Sequence, residues 1–159
     1  MIASIRNFFR QLSEPGVWQA GRLPEQPLQV ATAALLLETM RMDDSIAPEE
    51  TTALTAALRK QFGLTPEEIN TLVALAGKEV RQASGYYQFT SLINKGFDSE
   101  QKIQVIEQMW AIAFADGYLH AQEQHLIRKI ADLLYVPHAQ YIEAKHRARA
   151  ATVQSAVLT

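Results

Sequence analysis

The sequence predicts an all-α domain, and three observations carry that expectation. Apolar residues recur at three- and four-residue steps in most segments between breakers, as in Leu54, Leu58 and Phe62, the spacing that lines one face of a helix. No two alternating segments are joined by a hairpin turn, the signature of paired strands. Alanine, the strongest helix former, occurs 23 times, against six prolines and seven glycines.

The chain begins with a short amphipathic stretch in which Ile2, Ile5, Phe8, Phe9 and Leu12 share one side. It lacks the basic start, continuous apolar core and small-residue cleavage site of a secretory signal. Packing on the body is its expected role, with membrane contact as the alternative. Glu14-Pro15-Gly16 and the prolines at 24 and 27 then mark an irregular segment, in which Trp18 is the expected surface anchor. Residues 1–27 therefore form a lead, 28–145 the domain, and 146–159 the continuation and fraying of a last helix.

Within the domain, Val30 to Met42 predicts an apolar helix too short to cross a bilayer. Pro48-Glu49-Glu50 opens a second helix, with proline at the position where its missing amide proton costs nothing, and Gly63 ends it. Thr65-Pro66-Glu67-Glu68 is a fuller start, because Thr65 can cap and Glu68 can answer from three residues on. Ile69, Leu72, Val73, Ala76 and Val80 give that helix its stripe, and Ser84-Gly85 breaks it. Tyr86 to Ile93 reads as a short helix, because a lone strand would lack partners. Its aromatic residues Tyr86, Tyr87 and Phe89 are expected to pack between the hairpins, with a protein-binding patch as the alternative.

Asp98 or Ser99 starts a helix whose inward face includes Ile106, Trp110 and Phe114, so Trp110 is expected in the core. His120 starts the next, with Leu126, Ile127 and Ile130 inward. A last helix follows Val136-Pro137 and is expected to fade after Ala151. Short connectors favour antiparallel packing in one domain.

Composition removes several function classes. With 48% hydrophobic and 20% charged residues the chain is not a disordered type, and at 159 residues it can bury roughly two-thirds of its unfolded surface without a metal or disulfide staple. The absence of cysteine excludes thiolate metal sites and cysteine nucleophiles. A net charge of -2 gives no global attraction for nucleic acid, and no nucleic-acid partner is expected. That total conceals -4 over residues 38–50 and +3 over residues 128–149. No glycine-flanked serine elbow or phosphate loop is present, so enzymatic activity is not the expected role.

The most informative feature is an imperfect repeat. Residues 33–69 align with 106–142 at an offset of 73, setting Asp43-Asp44-Ser45-Ile46-Ala47-Pro48-Glu49-Glu50 beside Asp116-Gly117-Tyr118-Leu119-His120-Ala121-Gln122-Glu123. Leu64-Thr65-Pro66 and Val136-Pro137 mark matching second joints with a one-residue slip. Two such hairpins can pair around a pseudo-twofold centre, burying faces that neither buries alone.

This pattern resembles the tellurite-resistance protein TerB family, including the amino-terminal domain of a membrane-anchored DnaJ-like co-chaperone. The residues that carry the resemblance are Ala115-Asp116-Gly117, then Leu119 and Glu123, then Leu126, Ile130 and Leu133-Leu134-Tyr135-Val136-Pro137, with a weaker copy around Asp43 to Glu50. The resemblance implies a compact fold of short antiparallel helices, an adaptor's role in stress-related, membrane-associated complexes, and metal contact by acidic residues. Asp44 stands where the second copy has Gly117, so the two turns are not identical.

Read directly, Asp43, Glu50, Asp116 and Glu123 form two pairs with the same seven-residue spacing, and Asp44 adds an auxiliary carboxylate. Converging oxygens suit calcium, magnesium or manganese. The competing reading is structural: Glu50 and Glu123 fall where carboxylates favour helix starts, and the aspartates can accept bonds from the turn. The donor spacing is not that of an EF-hand, and the four histidines define no zinc site. The sequence thus points to a protein-interaction adaptor or stress sensor modulated by a divalent cation that folding does not require. A metal-assisted hydrolase using the same turns and a structural module without ions are the alternatives. A protein partner is expected, with weak homo-oligomerisation as a further association, in the cytoplasm or peripheral to the inner face of the membrane.

Overall fold

The computed structural model describes residues 25–41, 48–115, 117 and 119–158. The leading amphipathic stretch, Trp18 and the turn residues Asp43, Asp44 and Asp116 lie outside the described residues. Among those described there are seven helices and no strand: α1 (Glu25–Arg41), α2 (Pro48–Phe62), α3 (Pro66–Gln82), α4 (Tyr87–Gly96), α5 (Ser99–Phe114), α6 (Ala121–Leu133) and α7 (His138–Leu158). The expected all-α class holds. The backbone of α7 stays helical past Ala151, where fading was expected, because a helix needs only its own backbone bonds and this stretch contains no breaker.

Local chemistry sets the helix ends. Glu68 donates its amide N–H to Thr65 Oγ1 at 3.2 Å and accepts from the Thr65 N–H at 3.0 Å, closing a capping box on α3. These bonds hold the Glu68 carboxyl below its usual range. Asp98 and Gln101 make the same pair at 2.8 and 2.9 Å, so Asp98, not Ser99, caps α5. Gly63 ends α2 at φ +65°, donating to the Arg59 carbonyl at 2.8 Å.

The repeat predicted from sequence is present as packing. The first unit is α1, α2 and α3; the second is α5, α6 and α7. Within each, the first helix packs most extensively on the third (α1 on α3, α5 on α7) and also on the second. Across the units, α1 lies on α5, α2 lies on α5, and α6 lies on α1. Each contact thus has its exchanged counterpart, as a pseudo-twofold requires. Helices α5 and α7 run in the same direction, since Trp110 meets Tyr141 and Lys145 while Phe114 meets Arg149 one turn on.

Helix α1 is the centre. Val30, Ala31, Ala33, Ala34, Leu35 and Leu36 are consecutive or nearly so and all buried, so α1 is covered on every side and not on one stripe. Its buried hydroxyls are satisfied within the helix: Thr32 Oγ1 donates to the Leu28 carbonyl at 2.7 Å, and Thr39 Oγ1 to that of Leu35 at 3.1 Å. Trp110 is fully buried, as expected, stacked on Phe114 with centroids 5.6 Å apart and tilted against Tyr141 at 5.3 Å.

Helix α4 stands outside the duplication. It lies on α1 and α6, burying Phe89 and Ile93. Asn94 Nδ2 donates to the Leu133 carbonyl at 2.9 Å, and a Cβ at Gly96 would come within 2.5 Å of Leu28, so only glycine permits that approach without displacing Leu28.

Candidate functional site

Two regions have the character of a site: the paired acidic turns and an open groove. The turns were the expected ligand set, and the structure describes part of it. Glu50 and Glu123 are both 1% exposed, and each is the third residue of its helix, α2 and α6. Their positions match under the repeat. Glu123 Oε1 accepts from the His120 amide N–H at 3.2 Å and lies 4.0 Å from His120 Nε2. That bond is the helix-start role, the carboxylate answering the amide of the residue before the helix.

Gly117, at φ +82°, donates to the Phe114 carbonyl at 2.9 Å and closes the end of α5. Asp43, Asp44 and Asp116 lie outside the described residues. Among the described residues no three histidine or carboxylate side chains cluster. Of the expected set the structure describes only Glu50 and Glu123, whose carboxylate oxygens are hard donors of the kind that suits calcium, magnesium or manganese.

The groove is built from α2, α5 and α7 and encloses about 830 Å³. Leu54 and Leu58 turn one side of α2 into the core, which leaves Ala53, Ala56 and Ala57 as a wall of small side chains. Helix α5 forms the floor with Ile103, Gln104, Gln108 and Ala111, and Ala148 and Ala151 of α7 form the far wall. Lys60 and Glu100 add charged groups to the lining. Arg147 Nε crosses to Glu107 Oε1 at 3.1 Å, fixing α7 against α5. Gln108 is 8% exposed, lines the groove, and its Oε1 has no hydrogen-bond partner. A buried acceptor without a donor is costly. The sequence reading missed this region, although Ala53, Ala56 and Ala57 beside the Leu54–Leu58 stripe signal a second face of small residues.

The aromatic patch divides. Phe89 is buried, Tyr86 is half-buried beneath Lys129 Nζ at 5.4 Å, and Tyr87 is 76% exposed. Burial raises the Tyr86 phenol above its usual range, with the Glu38 charge adding to it. Packing between the units is therefore the role of Phe89, and only Tyr87 stands free of the body. No described helix is long and apolar enough to cross a membrane.

A family model described as tellurite resistance protein TerB matches residues 29–146. No curated protein matches the chain. The crystal structure of a protein of unknown function from Porphyromonas gingivalis W83 is similar, with a TM-score of 0.58 and 22% sequence identity, over 82% of this chain and 98% of that one; this likeness is one of fold.

Proposed function

The chain belongs to the TerB family, and from that premise we propose that it is a non-enzymatic protein-interaction adaptor serving a stress-related complex at the inner face of the membrane. The observation that carries this reading is the open groove between α2, α5 and α7, an apolar-walled recess of about 830 Å³. Recesses of this size with few polar groups are where proteins bind ligands.

A divalent cation at the acidic turns is the modulating part of the proposal. Glu50 and Glu123 occupy matching buried positions, and a cation bound with Asp43, Asp44 and Asp116 would stiffen the two inter-helix turns. Titration with calcium, magnesium and manganese, followed by amide NMR, is expected to give saturable shifts confined to both turns and lost in the combined Asp43→Asn, Asp116→Asn variant. No shift at millimolar metal would remove the ion component. Turnover of phosphate or ester substrates in manganese would replace the adaptor reading with the hydrolase.

A further inference from the structure

We propose that the groove between α2, α5 and α7 is the seat of an amphipathic helix from another protein; this names the mode of the adaptor reading above and rests on it. The argument comes from the duplication. Under the exchange of units, α2, α5 and α7 correspond to α6, α1 and α3. That second set of helices also frames a seat, and in this half of the molecule α4 lies on α1 and α6.

The residues match position by position. Ala56 and Lys60 of the open groove align with Lys129 and Leu133 at the offset of 73. Leu133 meets α4 directly, accepting the bond from Asn94, and Lys129 lies over the ring of Tyr86, the residue that caps its start. Ile103, Gln104 and Gln108 on α5 align with Val30, Ala31 and Leu35, which are buried on α1. One copy of the seat is therefore filled by a ten-residue helix of this chain, and the other is left open by the described residues. The floor from Glu100 to Ala111 is about 16 Å long, and a ten-residue helix about 15 Å.

The differences between the seats specify the occupant. The open groove has Ala53 and Ala57 where the filled one has Leu126 and Ile130, so it has room for bulky apolar side chains along one helix face, spaced as Phe89, Ile93 and Phe97 are. Its floor is more polar, with Gln104, Glu107 and Gln108 where α1 has Ala31, Ala34 and Leu35. A face that is exposed between encounters must tolerate water, and the half-buried Gln104 and Glu107 present acceptors along the floor. The partner helix therefore carries aromatic or branched residues at i, i+4 and i+8, flanked by arginine, lysine or asparagine.

Selection of displayed helical peptides of about 16 residues against the full chain tests this. Enriched peptides are expected to share that apolar spacing with basic or amide flanks. Binding of the best synthetic peptide, read by fluorescence anisotropy, is expected to weaken at least about tenfold in Ala56→Arg and in Ala151→Arg. Both positions are exposed, so these variants keep the fold. Lys129→Ala on the filled side should leave it unchanged. No enrichment, or binders indifferent to both arginine variants, overturns the proposal. A concentration-dependent dimer abolished by Ala56→Arg would assign the groove to a second copy and also overturn it. So would peptides that compete with synthetic residues 1–13 and gain affinity once Phe8→Ser and Phe9→Ser are introduced, since the occupant would then be this chain's own lead. The adaptor reading fails on a separate result, namely in-cell crosslinking of the full chain that yields no partner; a crosslinked partner retained by Ala56→Arg leaves that reading standing and sinks this one.

Discussion

The two halves of the molecule share one frame and complete it differently. The unit of α1, α2 and α3 has its first helix roofed by α4, so α1 is buried all round. In the unit of α5, α6 and α7, the face of α5 between α2 and α7 is left open by the described residues and carries glutamine and glutamate. The joints diverge too. Gly63 ends α2 with a left-handed residue, whereas Tyr135 takes that role after α6 at φ +59°, its N–H on the Asp132 carbonyl at 3.1 Å and that of Val136 on Ala131 at 2.9 Å. Both are helix stops of the same kind, but a side chain at positive φ is strained where glycine is not. Duplication fixes where helices pack, and each copy is then free to vary in what its outer face does.

The largest test of this contrast is to empty the filled seat. Phe89→Ala should cost about 3–5 kcal/mol in urea denaturation, as for an aromatic removed from a packed core, while Ala56→Arg at the matching open seat should stay within about 0.5 kcal/mol of the parent. Equal costs would mean that the open groove is as integral to the fold as α4's seat.

Glu79 offers the next test. It is 1% exposed on α3, neither of its oxygens has a hydrogen-bond partner, and desolvation raises its carboxyl above the usual 4.5. Its counterpart in the second unit, allowing for the one-residue slip, is Ala151. Because the folded chain holds this proton to higher pH than the unfolded chain does, the stability it contributes is complete below about pH 4.5 and falls as pH rises through the raised value. Glu79→Gln should therefore stabilise the protein by about 1 kcal/mol at neutral pH, and the gain should vanish on acidification below the carboxylate range. A gain that persists at low pH would show that packing, not charge, is responsible.

The smallest effect belongs to the joints. Tyr135→Gly should stabilise by about 0.5–1 kcal/mol, because relief of the left-handed strain is partly offset by the greater freedom of glycine in the unfolded chain. Gly63→Ala should destabilise by about 1–2 kcal/mol. Thermal melts of the two variants moving in the same direction would contradict the assignment of matching roles.

Much of this arrangement was legible in the residues. Thr65 and Glu68 announced their capping box, Pro48 and Gly63 bounded α2, and the alignment of Asp43–Glu50 with Asp116–Glu123 anticipated the pseudo-twofold. Such features depend on contacts within a few residues, or on a pattern repeated along the chain. The candidate sites were only half legible. Glu50 and Glu123 were singled out for their spacing, and their burial could not be read from it, since the same carboxylate serves a helix start whether wet or dry. The groove was not anticipated at all.

The sequence by itself determined the class of fold, the helix limits and the duplication, because periodicity and caps act locally and the copies can be compared by eye. Only the tertiary structure decided that α4 lies against one copy while the described residues leave the other open, that Phe89 is core while Tyr87 is not, and that Gln108 lines a recess. A groove is made by residues of three helices that are distant in the chain, and whether a small side chain lines a cavity or fills a core depends on what packs opposite it.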